Sequence, residues 1–369
     1  VTPRVHMSTT HFATSGVYID TFDEQSAQSG VRIRTFLSND MPSARRVTLI
    51  HDIFGPDGQK VTSVSQKVKL PADMENHCVE MTTSVNDRLL WDIDSPNLYR
   101  VETRLEGDGL SDMVSNTFGF RYFRFDSDKG FFLNGRHVKL IGTNRHQDYY
   151  QKGNALADEM HVRDLRLLEE MGGNFLRISH YPQDPQVTEF CDRRGIVTSV
   201  EIPIVDYITM SDKFRQNGVS MATEMVWQDY NSPSVVLWAY MNEPLLRRPY
   251  DDNPEVKEEY FAALRGVASS IENAIRELDP RRYTMMVFHS SVSQYAEAGM
   301  LDIPMVLGWN VYWGWYSNDL HRVEEKFRRN HGYAPDKAFL VTEYGADADP
   351  RVHSLTPSIY DYSCEYATH

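Results

Sequence analysis

The sequence predicts two architectures in series: an immunoglobulin-like antiparallel β-sandwich followed by an incomplete (β/α)8 TIM barrel. Three observations carry that expectation. Residues 17–124 run in short segments of alternating polarity separated by turn signals, the pattern of an antiparallel sandwich. Beyond residue 125, apolar runs alternate with helical stretches, which is the sequence form of a parallel α/β fold. Within that second half two apolar runs, Trp238-Ala239-Tyr240-Met241-Asn242-Glu243 and Phe339-Leu340-Val341-Thr342-Glu343, each stop at a glutamate ahead of a turn former, Pro244 or Gly345. The two glutamates stand 100 residues apart, close to three strand–helix units of about 31 residues in a barrel of about 250.

Residues 1–16 are polar and uneven and read as a connector. The sandwich, expected over 17–124, includes Val31-Arg32-Ile33-Arg34-Thr35-Phe36 and further alternating segments at 16–19, 46–50, 61–64 and 98–105. Turn signals at Asn39-Asp40, Pro56-Asp57-Gly58 and Gly107-Asp108-Gly109 separate them. No cluster of reactive groups falls here, so this region reads as a structural domain. The barrel is expected over 125–369. It opens with a hairpin turning at Asn134-Gly135, then offers seven strand candidates at 138–144, 174–179, 196–202, 235–241, 283–288, 305–311 and 339–342. Asp184-Pro185 and Asn253-Pro254 each set a capping residue before a Pro at the first helical position. Gly172-Gly173 and Gly195 fall where helices stop. Over 160–171, Val162, Leu165, Leu168 and Met171 share one helical face, and 255–278 reads as a long outer helix. Only 24 residues follow Gly345 and no eighth strand is apparent in them. The barrel is therefore expected to be truncated after its seventh strand, and the sequence to lack pieces at both ends.

Composition narrows the partners. The 369 residues are 41% hydrophobic and 24% charged, enough for two domains with a sizeable core. A formal charge of −14 argues against nucleic acid, and no basic run or long apolar stretch points to a membrane. Cys78, Cys191 and Cys364 are too widely spaced for a disulfide framework or a CxxC pair. The 12% aromatic share suits the apolar C–H faces of sugars, and equally a large core. Compartment and oligomeric state stay open.

Paired carboxylates at a barrel rim are what glycosidic bond cleavage requires. One carboxylic acid protonates the departing oxygen while the other carboxylate attacks the anomeric carbon from about 5–5.5 Å away. Strand-end glutamates also cap helices or pair with arginine, so each alone would say little; the spacing of Glu243 and Glu343 is the argument. Arg177, on the second strand candidate, is placed to keep an adjacent nucleophile ionised, and His180 follows at the rim. His146 and Asp148 follow the first strand candidate, where contact with sugar hydroxyls and simple loop polarity are both open. Two such donors without a third make a weak metal half-site. Tyr312 can donate to the nucleophile, and Trp313 or Trp315 can line a subsite.

Residues 174–182, 229–243 and 341–345 resemble the signatures of glycoside hydrolase family 2, the family of β-galactosidases, β-glucuronidases and β-mannosidases. The stretch Asp229-Tyr230-Asn231-Ser232-Pro233 leading to Asn242-Glu243 is similar to its acid/base signature, with mild departures at Ser232 and Ala239. The resemblance implies Glu243 as acid/base, Glu343 as nucleophile and Asn242 as donor to the sugar 2-hydroxyl. It further implies His146 and His180 as substrate contacts, Arg177 and Tyr312 as partners of the nucleophile, and Asp148 as a hydroxyl ligand. No cofactor is implied, and the third strand lacks the nearby His that accompanies the family's magnesium site, so no metal is expected. The expected activity is that of a retaining exo-β-glycosidase, β-galactosidase-like first. The alternatives are a β-glucuronidase, whose branch Asn310-x-Tyr312 and Gly314-Trp315-Tyr316 resemble, or a non-catalytic carbohydrate-binding barrel.

Overall fold

The structure is a computed structural model that describes residues 2–107, 109–250, 253–289, 292–318 and 320–368. The central residue of the expected turn at Gly107-Asp108-Gly109, and the terminal Val1 and His369, lie outside the described residues. Eight strands form the first unit: β1 Val5–Met7, β2 Val17–Phe22, β3 Gln28–Asn39, β4 Arg45–Phe54, β5 Lys60–Leu70, β6 Met74–Asn86, β7 Tyr99–Gly107 and β8 Leu110–Phe118. One sheet sets β1 and β2 along one edge of β3 and β6 along the other; the second runs β5-β4-β7-β8, antiparallel throughout. Alternate residues such as Val31, Ile33, Val47, Leu49 and Val101 point inward and are wholly or almost wholly buried between the sheets. Part of the stretch expected as a connector is therefore sheet: all three residues of β1 are buried against β3. Three residues carry too little periodicity to announce a strand whose partner lies some thirty positions on.

A small antiparallel sheet of β9 Phe123–Asp126, β10 Gly130–Leu133 and β11 Arg136–His137 follows, its hairpin turning at Asn134 and Gly135 with φ of 51° and 81°. Seven parallel strands then lie in strict sequence order: β12 Gly142–Arg145, β13 Phe175–Ile178, β14 Val197–Glu201, β15 Val235–Asn242, β16 Tyr283–His289, β17 Val306–Asn310 and β18 Ala338–Glu343. Among the described residues β12 and β18 do not pair, so the sheet is an open barrel wall. The first strand starts four residues later than expected, because Val138 is still bonded to Phe131 of the hairpin. Gly142 can then pass against the next strand, where a Cβ would fall 1.6 Å from the Phe175 carbonyl oxygen.

Helices α1 Asp158–Glu170, α2 Pro185–Arg194, α3 Asp212–Gln228, α4 Pro254–Leu278, α5 Val292–Glu297, α6 Val323–His331 and α7 Cys364–Thr368 complete the chain. Asp184 and Asn253 accept backbone N–H groups at the starts of α2 and α4, each ahead of its proline. Gly195 ends α2 in the left-handed region at φ 72°. Met171, expected on the buried face of α1, is 72% exposed, because the helix has already ended at its cap there. Among the described residues no helix is long and apolar enough to cross a membrane.

The two units are bolted together by the stretch ahead of β15. Asn231 acts as a strand surrogate for β2, accepting from the Ile19 N–H at 2.8 Å and donating to the Val17 carbonyl at 2.9 Å. Behind it, the buried Arg282 donates to the Tyr230, Ser232 and Val235 carbonyls and pairs with Asp279. The loop feeding β15 is thus fixed at its start, which determines where β15 ends.

Candidate active site

β15 is buried at all eight positions and stops at Asn242. The Glu243 N–H still bonds to the Val287 carbonyl of β16 at 2.8 Å, but its φ is 51°, a left-handed conformation rare for a residue with a side chain. Such strain persists only where the surroundings over-determine it. Here the Tyr260 hydroxyl of α4 clamps the next residue, donating to the Pro244 carbonyl at 2.9 Å while it accepts from the Ile208 N–H. Across the sheet, Glu343 is the last residue of β18 and pairs in register with Asn310 of β17. Both glutamates line one cavity of about 660 Å³, together with Asn242, His180 and Tyr312.

A continuous hydrogen-bonded network joins them. Arg177, 1% exposed at the heart of β13, donates from Nη1 to Glu343 Oε1 at 2.5 Å. From Nη2 it donates to Glu201 Oε2 at 2.8 Å and to Asn242 Oδ1 at 3.0 Å. The Tyr312 hydroxyl donates to the other Glu343 oxygen at 2.6 Å. Burial first, then that bond and the Glu343 charge, pushes the Tyr312 phenol well up, so it stays a donor. Glu343 therefore has a donor on each oxygen, the setting of a carboxylate.

The amides are oriented by the same network. Asn242 Oδ1 accepts from Arg177 and from Asn310 Nδ2 at 3.1 Å, which uses both lone pairs and leaves its NH₂ for the cavity. Asn310 receives Thr342 on its oxygen at 2.8 Å and donates to Glu243 Oε1 at 2.5 Å. Glu243 is half-buried, and burial raises its pKa first, with the charges of Glu343 and Asp206 adding; Asn310 and His180 oppose. A protonated carboxyl with one oxygen held by Asn310 directs its proton from the other.

His180 is held by Glu201, with Nδ1 2.7 Å from Oε1 and Nε2 3.8 Å from Glu343. Burial alone would raise the Glu201 carboxyl, but Arg177 and His180 outweigh it and hold it below the ordinary glutamate range. Glu201 thus belongs to the site although the sequence reading assigned it nothing. Its signal was available: a charge inside the otherwise uncharged strand Val197–Glu201 needs a buried partner. Asn310, which the sequence offers only as the residue two before Tyr312, is central to the network.

His146 and Asp148 stand apart. Both are exposed on the loop after β12, and neither bonds to either glutamate; the His146 ring lies 5.3 Å from that of His180. Of the two tryptophans, Trp313 lines the cavity, while Trp315 is buried against Tyr360 and Tyr362 and serves as packing. Among the described residues no group of three or more His, Cys, Asp or Glu is arranged to hold a metal ion.

Comparison with known proteins points to one family. Residues 126–367 match the family described as "Glycosyl hydrolases family 2, TIM barrel domain", and residues 10–121 match "Glycosyl hydrolases family 2". A β-glucuronidase of Bacteroides fragilis is 33% identical over 94% of this chain and 48% of its own length. A β-galactosidase of Thermoanaerobacterium thermosulfurigenes is 34% identical over 72% of this chain and 34% of its own. Among solved structures, a Bacteroides uniformis β-glucuronidase superposes with a TM-score of 0.95 at 39% identity, covering 100% of this chain and 44% of that one. A Bacteroides uniformis β-glucuronidase covalently bound to cyclophellitol-6-carboxylate aziridine gives 0.94 at 39% identity over 99% of this chain and 44% of that one. The chain thus spans about half the length of the first relatives it matches.

Proposed function

We propose that this chain, which belongs to glycosyl hydrolase family 2, carries the catalytic centre of a retaining exo-β-glycosidase acting on β-glucuronides. In this reading residues 17–124 are a supporting sandwich and 125–369 the catalytic barrel. Glu343 attacks the anomeric carbon while Glu243 gives its proton to the departing oxygen, so the glycosidic bond breaks and a covalent glycosyl-enzyme forms. Glu243, now a carboxylate, takes a proton from water, which releases the sugar with its original configuration and restores both groups. Arg177 and Tyr312 hold the nucleophile's oxygens, and the Asn242 NH₂ meets the sugar 2-hydroxyl. His180 is a substrate contact, and His146 and Asp148 are outer hydroxyl contacts at the rim.

The observation that carries the mechanism is the shared cavity, in which one glutamate has two donors and the other is raised by burial and anionic neighbours. The sequence reading put galactosides first. Two observations favour glucuronides: several relatives bear that name, one held covalently by a 6-carboxylate aziridine, and Lys326 and Arg329 line the same cavity. A β-galactosidase reading stands second on the 34% identical relative.

The test is a panel of 4-nitrophenyl β-glycosides on the full-length protein, with the anomer released followed by NMR. The β-glucuronide should be cleaved fastest, with the β-anomer appearing first. A faster galactoside would favour the second reading. Sugar binding without turnover would replace the enzyme with a binding barrel.

A further inference from the structure

The hydrogen bonds that join the two glutamates run in one direction. Arg177 can only donate, so Asn242 turns its carbonyl oxygen to it at 3.0 Å. The same oxygen takes Asn310 Nδ2 at 3.1 Å, so Asn310 presents its NH₂ on this side. That nitrogen also donates to Glu243 Oε1 at 2.5 Å. The orientation of the Asn310 amide therefore decides whether Glu243 meets a donor or an acceptor. Asn310 is 2% exposed, and with its nitrogen committed in this way its oxygen needs a donor of its own. The Thr342 hydroxyl supplies one at 2.8 Å.

The backbone is shaped to bring that hydroxyl there. β18 pairs Val341 with Trp309 and Glu343 with Asn310, so Thr342 is an extra residue, a bulge directly ahead of Glu343. In an unbroken strand two neighbours point to opposite faces. The bulge lets both reach the network, Thr342 through Asn310 and Glu343 through Arg177. Gly308 of β17 makes room for the rest of the threonine. A Cβ at 308 would fall 2.9 Å from Thr342 Cγ2 and 2.8 Å from Val287 Cγ2. With its methyl seated over Gly308, Thr342 keeps its hydroxyl on Asn310.

Resting on the glycosidase reading above, we infer that Thr342 is a positioning residue for the acid. By bonding the Asn310 oxygen it holds that amide with its NH₂ toward Glu243, which leaves the carboxyl proton on the other Glu243 oxygen, free for the departing group. Without that bond the amide can flip. Its carbonyl would then accept the Glu243 proton, and the departing oxygen would lose its donor.

The test uses the full-length protein and two β-glycosides of the sugar that the wild type cleaves fastest, one methyl and one 4-nitrophenyl. Thr342→Val exchanges the hydroxyl for a methyl of nearly the same size. It should lower kcat/KM for the methyl glycoside about ten-fold more than for the nitrophenyl glycoside, whose departing group needs little help from a proton. The Asn310 bond lowers the Glu243 pKa, so losing it, or facing a carbonyl instead, raises that pKa. The alkaline limb of kcat/KM against pH should then move toward alkali. The other groups acting on Glu243 are Glu343, Asp206 and His180, with Tyr295, Tyr312 and Tyr316 around it, and the exchange alters none of them. Thr342→Ser, which keeps the hydroxyl, should hold the limb where the wild type has it. Thr342→Ala and Thr342→Ser both lack the methyl and differ only in the hydroxyl, so they give the same contrast should the valine variant fail to fold. Equal losses on both glycosides with an unmoved limb, for valine against wild type or alanine against serine, would overturn the role of Thr342 and leave the glycosidase reading standing. Wild-type protein that cleaves no β-glycoside would remove that reading and this inference with it.

Discussion

At the end of β18, Glu343 receives the Arg177 guanidinium on one oxygen and the Tyr312 hydroxyl on the other. At the end of β15, Glu243 receives one neutral amide, and burial and two anionic neighbours outweigh that amide and His180 to raise its pKa. The same side chain, on two strands of one sheet, is given an environment for an anion in one place and for a neutral acid in the other. The difference arises from what other strands carry to each end of the cavity. β13 brings a buried cation to the Glu343 end, while the loop after β14 brings Asp206 to the Glu243 end. Division of labour between two glutamates is thus a property of their neighbours, and each neighbour can be changed singly.

The comparison breaks most completely at the anionic end. Glu343→Gln keeps the shape and the Tyr312 contact but removes the attacking oxygen anion and the partner of Arg177. The loss in kcat should be on the order of 10⁵-fold, in the range seen when an attacking group is removed elsewhere. Turnover of a nitrophenyl glycoside that survives this change would place the nucleophile on another residue. Next in size is Glu243→Gln, which removes only a proton donor. Substrates with poorly departing alcohols should lose about 10²–10⁴-fold, and nitrophenyl glycosides far less in the bond-breaking step. Equal losses across a series of departing groups would erase the distinction between the two carboxylates.

Much of this arrangement is legible in the sequence because its physics is local or repetitive. β15 and β18 are recognisable as parallel strands from their unbroken apolar runs, and their terminal glutamates follow directly, although β18 lies at the sheet edge and is only partly buried. The caps Asp184 and Asn253 act within three residues of themselves, so their motifs needed no tertiary context. Residues 74–86 were not recognised, because β6 carries Glu75, Asn76, His77 and Glu80 and shows its register only against β3. Glu201 and Asn310 share a different difficulty. Each is defined by a partner far along the chain, Arg177 and Glu243 respectively, and no spacing rule reaches that far. His146 and Asp148 lie on the loop after β12, where the sequence places them, exposed and with the His146 ring 5.3 Å from that of His180.

The smallest expected effect sharpens the comparison further, because it alters the acid end without touching either glutamate. Burial is the first reason Glu243 holds its proton, and the charges of Glu343 and Asp206 come after it. An anionic neighbour raises a carboxyl's pKa, since ionisation would set two negative charges together. Asp206→Asn removes one such charge, so the Glu243 pKa falls and its proton-donating form is lost at lower pH. In a profile of kcat/KM against pH on an aryl glycoside, the alkaline limb should therefore move toward acid. Loss of the Asp206–Arg247 pair adds little to stability, because Arg247 is largely exposed. An alkaline limb that stays in place would leave burial and Glu343 as the sole causes of the raised carboxyl. A limb that moves toward alkali would contradict Glu243 as the group that must keep its proton, and the contrast between the two ends of the cavity would fail at its acid end.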